Sequence, residues 1–259
     1  MRFLLPFAAW FLIGFVGIVA MATQIGLDDL RAVEGAPEIG DMGLRIVLVI
    51  QPAILLAIAV AAGVALQDRA GLASWLTARL RGERVPLVSV QSVGGALALT
   101  AALALVALFV DLVFRLAAPA DFAGLPGAPL ATLPRVSALL YGGITEELML
   151  RYGLMTALAA IGTMLFVRKE GRRRPALMWT VVILVALAFG VGHLPALAAM
   201  VEPSGLLVVR TVLLNAMLGI LYGWLYWRYG LEHAILSHGF THGVFWLAGP
   251  FMAALAGAV

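Results

Sequence analysis

The stretch YGGITEELMLRYG, residues 141–153, lies in a run that stays apolar from Pro134 until Arg168. It places Glu146, Glu147 and Arg151 together in a chain that is only 12% charged and 63% hydrophobic. An ordinary soluble domain is about half apolar and about a quarter charged. With a mean hydropathy of +1.04, the surroundings of these three residues are lipid rather than water. The chain is therefore expected to be an all-α, polytopic transmembrane bundle of seven or eight spans, forming a single integral membrane domain over residues 1–259.

Working outward, apolar runs recur at about 3–23, 44–66, 92–115, 134–166, 177–200, 205–228 and 231–257. Each is long enough to cross a hydrocarbon core of roughly 30 Å as a helix. The fourth would extend about 50 Å as a straight α-helix, so it is expected to be strongly tilted, broken near Gly142-Gly143 or Gly153, or split in two. The first run resembles a signal peptide at its "AMA", but its apolar core exceeds the roughly 7–15 residues of such peptides and is read as a retained span.

Arg69, Arg79, Arg81 and Arg84 fall in the second connection, and RKEGRRR occupies 168–174. Connections rich in Lys and Arg stay cytoplasmic. The acidic connection 24–43, with Asp28, Asp29, Glu34, Glu38 and Asp41, and the sequence VEPSG at 201–205 fit the other side. The expected location is a prokaryotic inner membrane, with the N-terminus cytoplasmic and the C-terminus outside if there are seven spans. The net charge of +3 is a topology signal and gives no reason to expect a nucleic-acid partner. LASWLTARLRGER, at 72–84, reads equally as an interfacial helix or a basic loop. Without cysteine, disulfides and thiol chemistry are excluded.

An ionisable group in hydrocarbon costs about 2.5–3.5 kcal/mol or more, so a chain that retains several uses them. Glu147 and Arg151, at i and i+4, share a helical face. Glu146 is rotated about 100° away and is left as a candidate general acid or base. Asp111 and Arg115 read as a local ion pair, and Arg210 is a further charge within a span. FGVGHLP places His193 in the fifth run, where by itself it would be a packing residue. LEHAILSHGFTHG supplies His238 and His242 on one face, with Glu232 and His233 near the basic end. Together these are the parts of a hydrolytic site. Either Glu146 activates water while the imidazoles stabilise an oxyanion, or zinc is held by His193, His238, His242 and Glu146. Measured from the basic ends, His238 lies about 12 Å deep and His193 about 24 Å deep; a shared site requires tilt or shifted boundaries.

In order, Glu146-Glu147-Leu148-Met149-Leu150-Arg151 (EExxxR), Phe189 to His193 (FxxxH) and His238 to His242 resemble the three motifs of the CPBP family, the CAAX-processing and bacteriocin-immunity (Abi) intramembrane proteases. The resemblance covers a motif-bearing core at 134–245. It implies an intramembrane endopeptidase acting on membrane-associated or lipidated protein substrates within the bilayer. By that resemblance Glu146 is the base, His193 the second catalytic group, and His238 with His242 the oxyanion site. Glu147 and Arg151 pair in support, with Phe189 beside them. Its favoured mechanism requires no cofactor. His242 stands where the family commonly has Asn, which keeps zinc open. A proton- or metal-coupled transporter and a non-catalytic scaffold on the same fold are the alternatives, and the oligomeric state is not encoded.

Overall fold

A computed structural model of the chain describes residues 2–27, 31, 39–85, 90–123, 125, 132–166 and 175–257. Asp28, Asp29, Glu34 and Glu38, and the basic run 168–174, lie outside the described residues. Among those described, regular structure is entirely helical, as lipid requires of a chain that must satisfy its backbone polar groups internally. The main elements are α1 (Leu4–Ala22), α2 (Asp41–Ala70), the short α3 (Trp75–Leu80), α4 (Val90–Ala117), α5 (Leu133–Phe166), α6 (Pro175–Gly192), α7 (Gly205–Tyr229) and α8 (Leu231–Gly257).

Among the described residues, six helices are long and apolar enough to cross a membrane: α1, α2, α4, α5, α6 extended through Ala198, and α7. α8 is as long as its neighbours and carries the polar residues Glu232, His233, His238 and His242. Large apolar side chains such as Leu12, Ile54, Phe109, Leu184 and Leu247 face outward, where lipid replaces water.

The long fourth run is neither broken nor split at its glycines. Instead α5 is continuous, and its backbone widens to π-helical pairing over Tyr141–Glu146 and Leu148–Met155. Such widening concentrates at functional sites, and here it spans the whole EExxxR motif. α5 is also the central element, packing against α1, α2, α6 and α8.

Small residues set the helix separations, as is usual where no water drives apolar faces together. Gly143 of α5 faces Gly239 of α8, where an added Cβ would lie 3.1 Å from the Gly239 Cα. Gly190 of α6 lies against α7, and a Cβ there would sit 2.6 Å from the Val212 carbonyl oxygen and 3.0 Å from its Cα. Because that obstacle is backbone, Gly190→Ala is expected to destabilise the protein by about 1–3 kcal/mol. Its thermal midpoint in detergent should fall well below that of Gly192→Ala, whose Cβ would meet nothing within 4 Å. Equal midpoints would show that the α6–α7 contact is slack.

The segment left open between interfacial helix and loop forms α3, capped by Ser74, whose Oγ accepts from Thr77 N at 3.1 Å. It docks into the bundle. Fully buried Thr77 accepts from Trp10 Nε1 at 3.1 Å and pairs with the Tyr152 hydroxyl at 2.8 Å. Glu232 accepts from Ser74 Oγ and Leu76 N, each at 2.9 Å, while His233 meets the Trp75 ring edge-on at 5.0 Å. The latter two residues thus pin α8 to α3 rather than joining the other histidines. At the opposite end, Asp111 holds Arg115 at 2.8 Å as the sequence suggested, and also Arg210 of α7 at 2.5 Å.

Candidate active site

The EExxxR motif separates its two carboxylates. Glu147 and Arg151 are both fully buried, and Arg151 Nη1 donates to Glu147 Oε1 at 2.8 Å. Arg151 Nη2 donates to the Gly219 carbonyl at 3.1 Å, and the guanidinium lies 4.8 Å from the Phe189 ring centre and 5.3 Å from that of Tyr222. Cation–π contacts of this kind help hold a charge away from water. Glu146 points elsewhere: its side chain is 18% exposed, and its Oε2 stands 4.0 Å from His238 Nε2.

His238 links the two carboxylates. Its Nδ1–H donates to Glu147 Oε1 at 2.8 Å, which fixes the ring and leaves Nε2 facing Glu146. Tyr222 stacks on one side at 4.6 Å and His242 stacks at 5.2 Å. The Tyr222 hydroxyl donates to Thr241 Oγ1 at 2.7 Å, and Thr241 donates to the Ser237 carbonyl at 3.0 Å. His193 sits at the end of α6, where Nδ1–H donates to the Phe189 carbonyl at 2.8 Å. The Phe189 ring touches His193 edge-on at 4.7 Å and His238 at 5.7 Å. The depth mismatch is thereby resolved, because α8 starts against docked α3 and both histidines reach one cavity.

That cavity has a volume of about 210 Å³, and Glu146, His193, His238 and His242 all line it. Glu146 and His193 also line a larger apolar groove of about 590 Å³ between α2, α5 and α6, walled by Ile58, Leu150 and Leu154 among others. Among the described residues, no three His, Cys, Asp or Glu side chains form a group that could hold a metal ion.

Residues 128–244 match the family model described as Type II CAAX prenyl endopeptidase Rce1-like. Over those residues the chain is similar to the CAAX-protease family. No curated protein and no solved structure matches it significantly. The helices long and apolar enough to cross a membrane make the chain an integral membrane protein.

Several residues of this site were not singled out from the sequence. Tyr222, Thr241, Asn215 and Tyr141 line the cavity, but an aromatic or hydroxyl residue in a span carries no mark of its role. Gly142 carried a signal only as half of a Gly pair. A Cβ on Gly142 would lie 2.6 Å from His242 Nε2 and 3.6 Å from His238 Nε2, so the glycine leaves room for both imidazoles. Gly142→Ala is expected to push the His242 ring and lower cleavage by up to about 10²-fold, the order lost for a 1 Å misplacement. Stability should change little, since the obstacle is a side-chain end. Unaltered turnover in purified Gly142→Ala would exclude this positioning role.

Proposed function

We propose that this protein is an endopeptidase in which Glu146 activates the attacking water. The observation that carries the reading is the division of labour between adjacent carboxylates. Glu147 is occupied by Arg151 and His238, whereas Glu146 lines the cavity with its Oε2 4.0 Å from His238 Nε2 and no Arg or Lys ion pair among the described residues. A carboxylate free of an ion pair can accept a proton from water as the oxygen attacks a scissile carbonyl. His242 would then donate a hydrogen bond to the carbonyl oxygen as it becomes anionic, and His238 would do so in its doubly protonated form. His193, anchored through Nδ1–H, would present its Nε2 lone pair as an acceptor to the attacking water or to the N–H of the leaving amine. Collapse of the tetrahedral adduct breaks the C–N bond, and the proton held by Glu146 passes to the amine.

The apolar groove beside Glu146 suits a substrate whose acyl chain or apolar segment lies in the bilayer, which favours membrane-associated or lipidated polypeptides. The test compares new peptide termini in membranes carrying wild type or Glu146→Gln at matched abundance. Termini found only with wild type support the protease reading. Their absence with abundant, folded wild type would instead favour a transporter or scaffold on the same fold.

A further inference from the structure

We infer that the catalytic cavity opens on the face opposite the basic connections, so that the enzyme cuts polypeptide segments presented from outside the cytoplasm. This deepens the proposed protease reading and rests on it for the substrate, but not for the direction of opening.

Side-chain contacts define which helix ends share a face. At one end, Trp10 of α1 meets Thr77 of α3, which meets Tyr152 of α5; Glu232 at the start of α8 binds α3; and Trp179 near the start of α6 meets Trp227 near the end of α7 at 5.7 Å. At the other end, Ser137 near the start of α5 donates to the Ala20 carbonyl near the end of α1 at 3.1 Å, and Asp111 near the end of α4 holds Arg210 near the start of α7.

The cavity has a closed floor and an open mouth along this axis. Toward the first end its boundary is Glu147, Arg151, Tyr222 and Ser237, none more than 1% exposed, with Tyr152, Met155, Leu225 and Tyr226 sealed beneath them. Toward the second end it is lined by Ala138, Asn215, Phe245 and Met21, the last 37% exposed. Among the described residues, the cavity is open toward that end and borders the lipid-side groove, with which it shares Tyr141, Glu146, Phe189 and His193.

The first end carries Arg69, Arg79, Arg81, Arg84 and Arg228, and the α5–α6 connection adds Arg168, Lys169 and Arg172 to Arg174 by sequence. Connections so biased remain cytoplasmic. The mouth therefore faces away from the cytoplasm. An exported segment emerging from the bilayer reaches Glu146 through that mouth, whereas a tail displayed on the cytoplasmic face meets the sealed layer and has only the lipid-side groove as a path.

The native absence of cysteine makes the test direct. Met21→Cys and Ala138→Cys, at the mouth, and Arg84→Cys, at the basic end, each introduce a single thiol outside the catalytic set. Intact cells expressing each variant are treated with a charged, membrane-impermeant maleimide, before and after permeabilisation. Labelling of either mouth variant in intact cells, with Arg84→Cys labelled only after permeabilisation, is the expected result; the reverse pattern overturns the inference. Peptide termini that depend on Glu146 should map to extracytoplasmic segments, and termini confined to cytoplasmic ones would equally overturn it. Labelling does not require catalysis, so an active Glu146→Gln enzyme would remove the protease mechanism while leaving the orientation to be read separately.

Discussion

Glu146→Gln is expected to lower peptide cleavage by about 10²–10⁴-fold, the range associated with loss of a positioned general base, while leaving the thermal midpoint near that of wild type. Glutamine keeps the size and hydrogen-bonding reach of the side chain but cannot take up a proton from water. The structure offers no reason for unfolding, because Glu146 is partly exposed and its contact with His238 Nε2 is long, at 4.0 Å. The measurement is cleavage rate per folded molecule, with melting recorded on the same preparation. A Glu146→Gln enzyme with wild-type turnover would remove Glu146 as the base and redirect attention to His193.

Arg151→Ala is expected to behave in the opposite manner, losing about 3–5 kcal/mol of stability as a buried charge loses its partner. Glu147 would remain fully buried with only His238 Nδ1 beside it, and the Gly219 carbonyl would lose its donor. Activity would fall too, through disorder of His238 rather than through loss of the proposed base. Replacing both partners, as Glu147→Gln with Arg151→Met, should recover much of the stability, since removing both charges is far less costly than stranding one. Urea or thermal unfolding in detergent measures both variants. If Arg151→Ala melts with wild type, the ion pair is not what holds α5, α6 and α7 together at this level.

Much of this architecture was legible in the residues. The apolar runs located the spans because lipid accepts only segments that satisfy their own backbone. The i, i+4 relation of Glu147 and Arg151 foretold their pair, and the Asp111–Arg115 pair formed as spacing suggested. The π-helical backbone of α5 was not legible, because apolar periodicity in a fully lipidic segment is nearly featureless and cannot distinguish one helical pitch from another. Arg210 joining Asp111 from 99 residues away was equally hidden, since nothing local to either residue names the other.

By itself the sequence determined that the chain is a helical membrane bundle, which residues are costly enough in hydrocarbon to require a use, and which ends carry the positive charge. Those properties follow from transfer free energies and local helix geometry, which depend only on residue type and spacing. The tertiary structure alone decided that His238 stands between the two glutamates, that Glu232 and His233 bind α3, and which end of the cavity is sealed. Each of these depends on the mutual placement of helices distant in sequence. In lipid that placement is set by close approaches at residues such as Gly143, Gly190 and Gly239, whose fit exists only once the helices are packed.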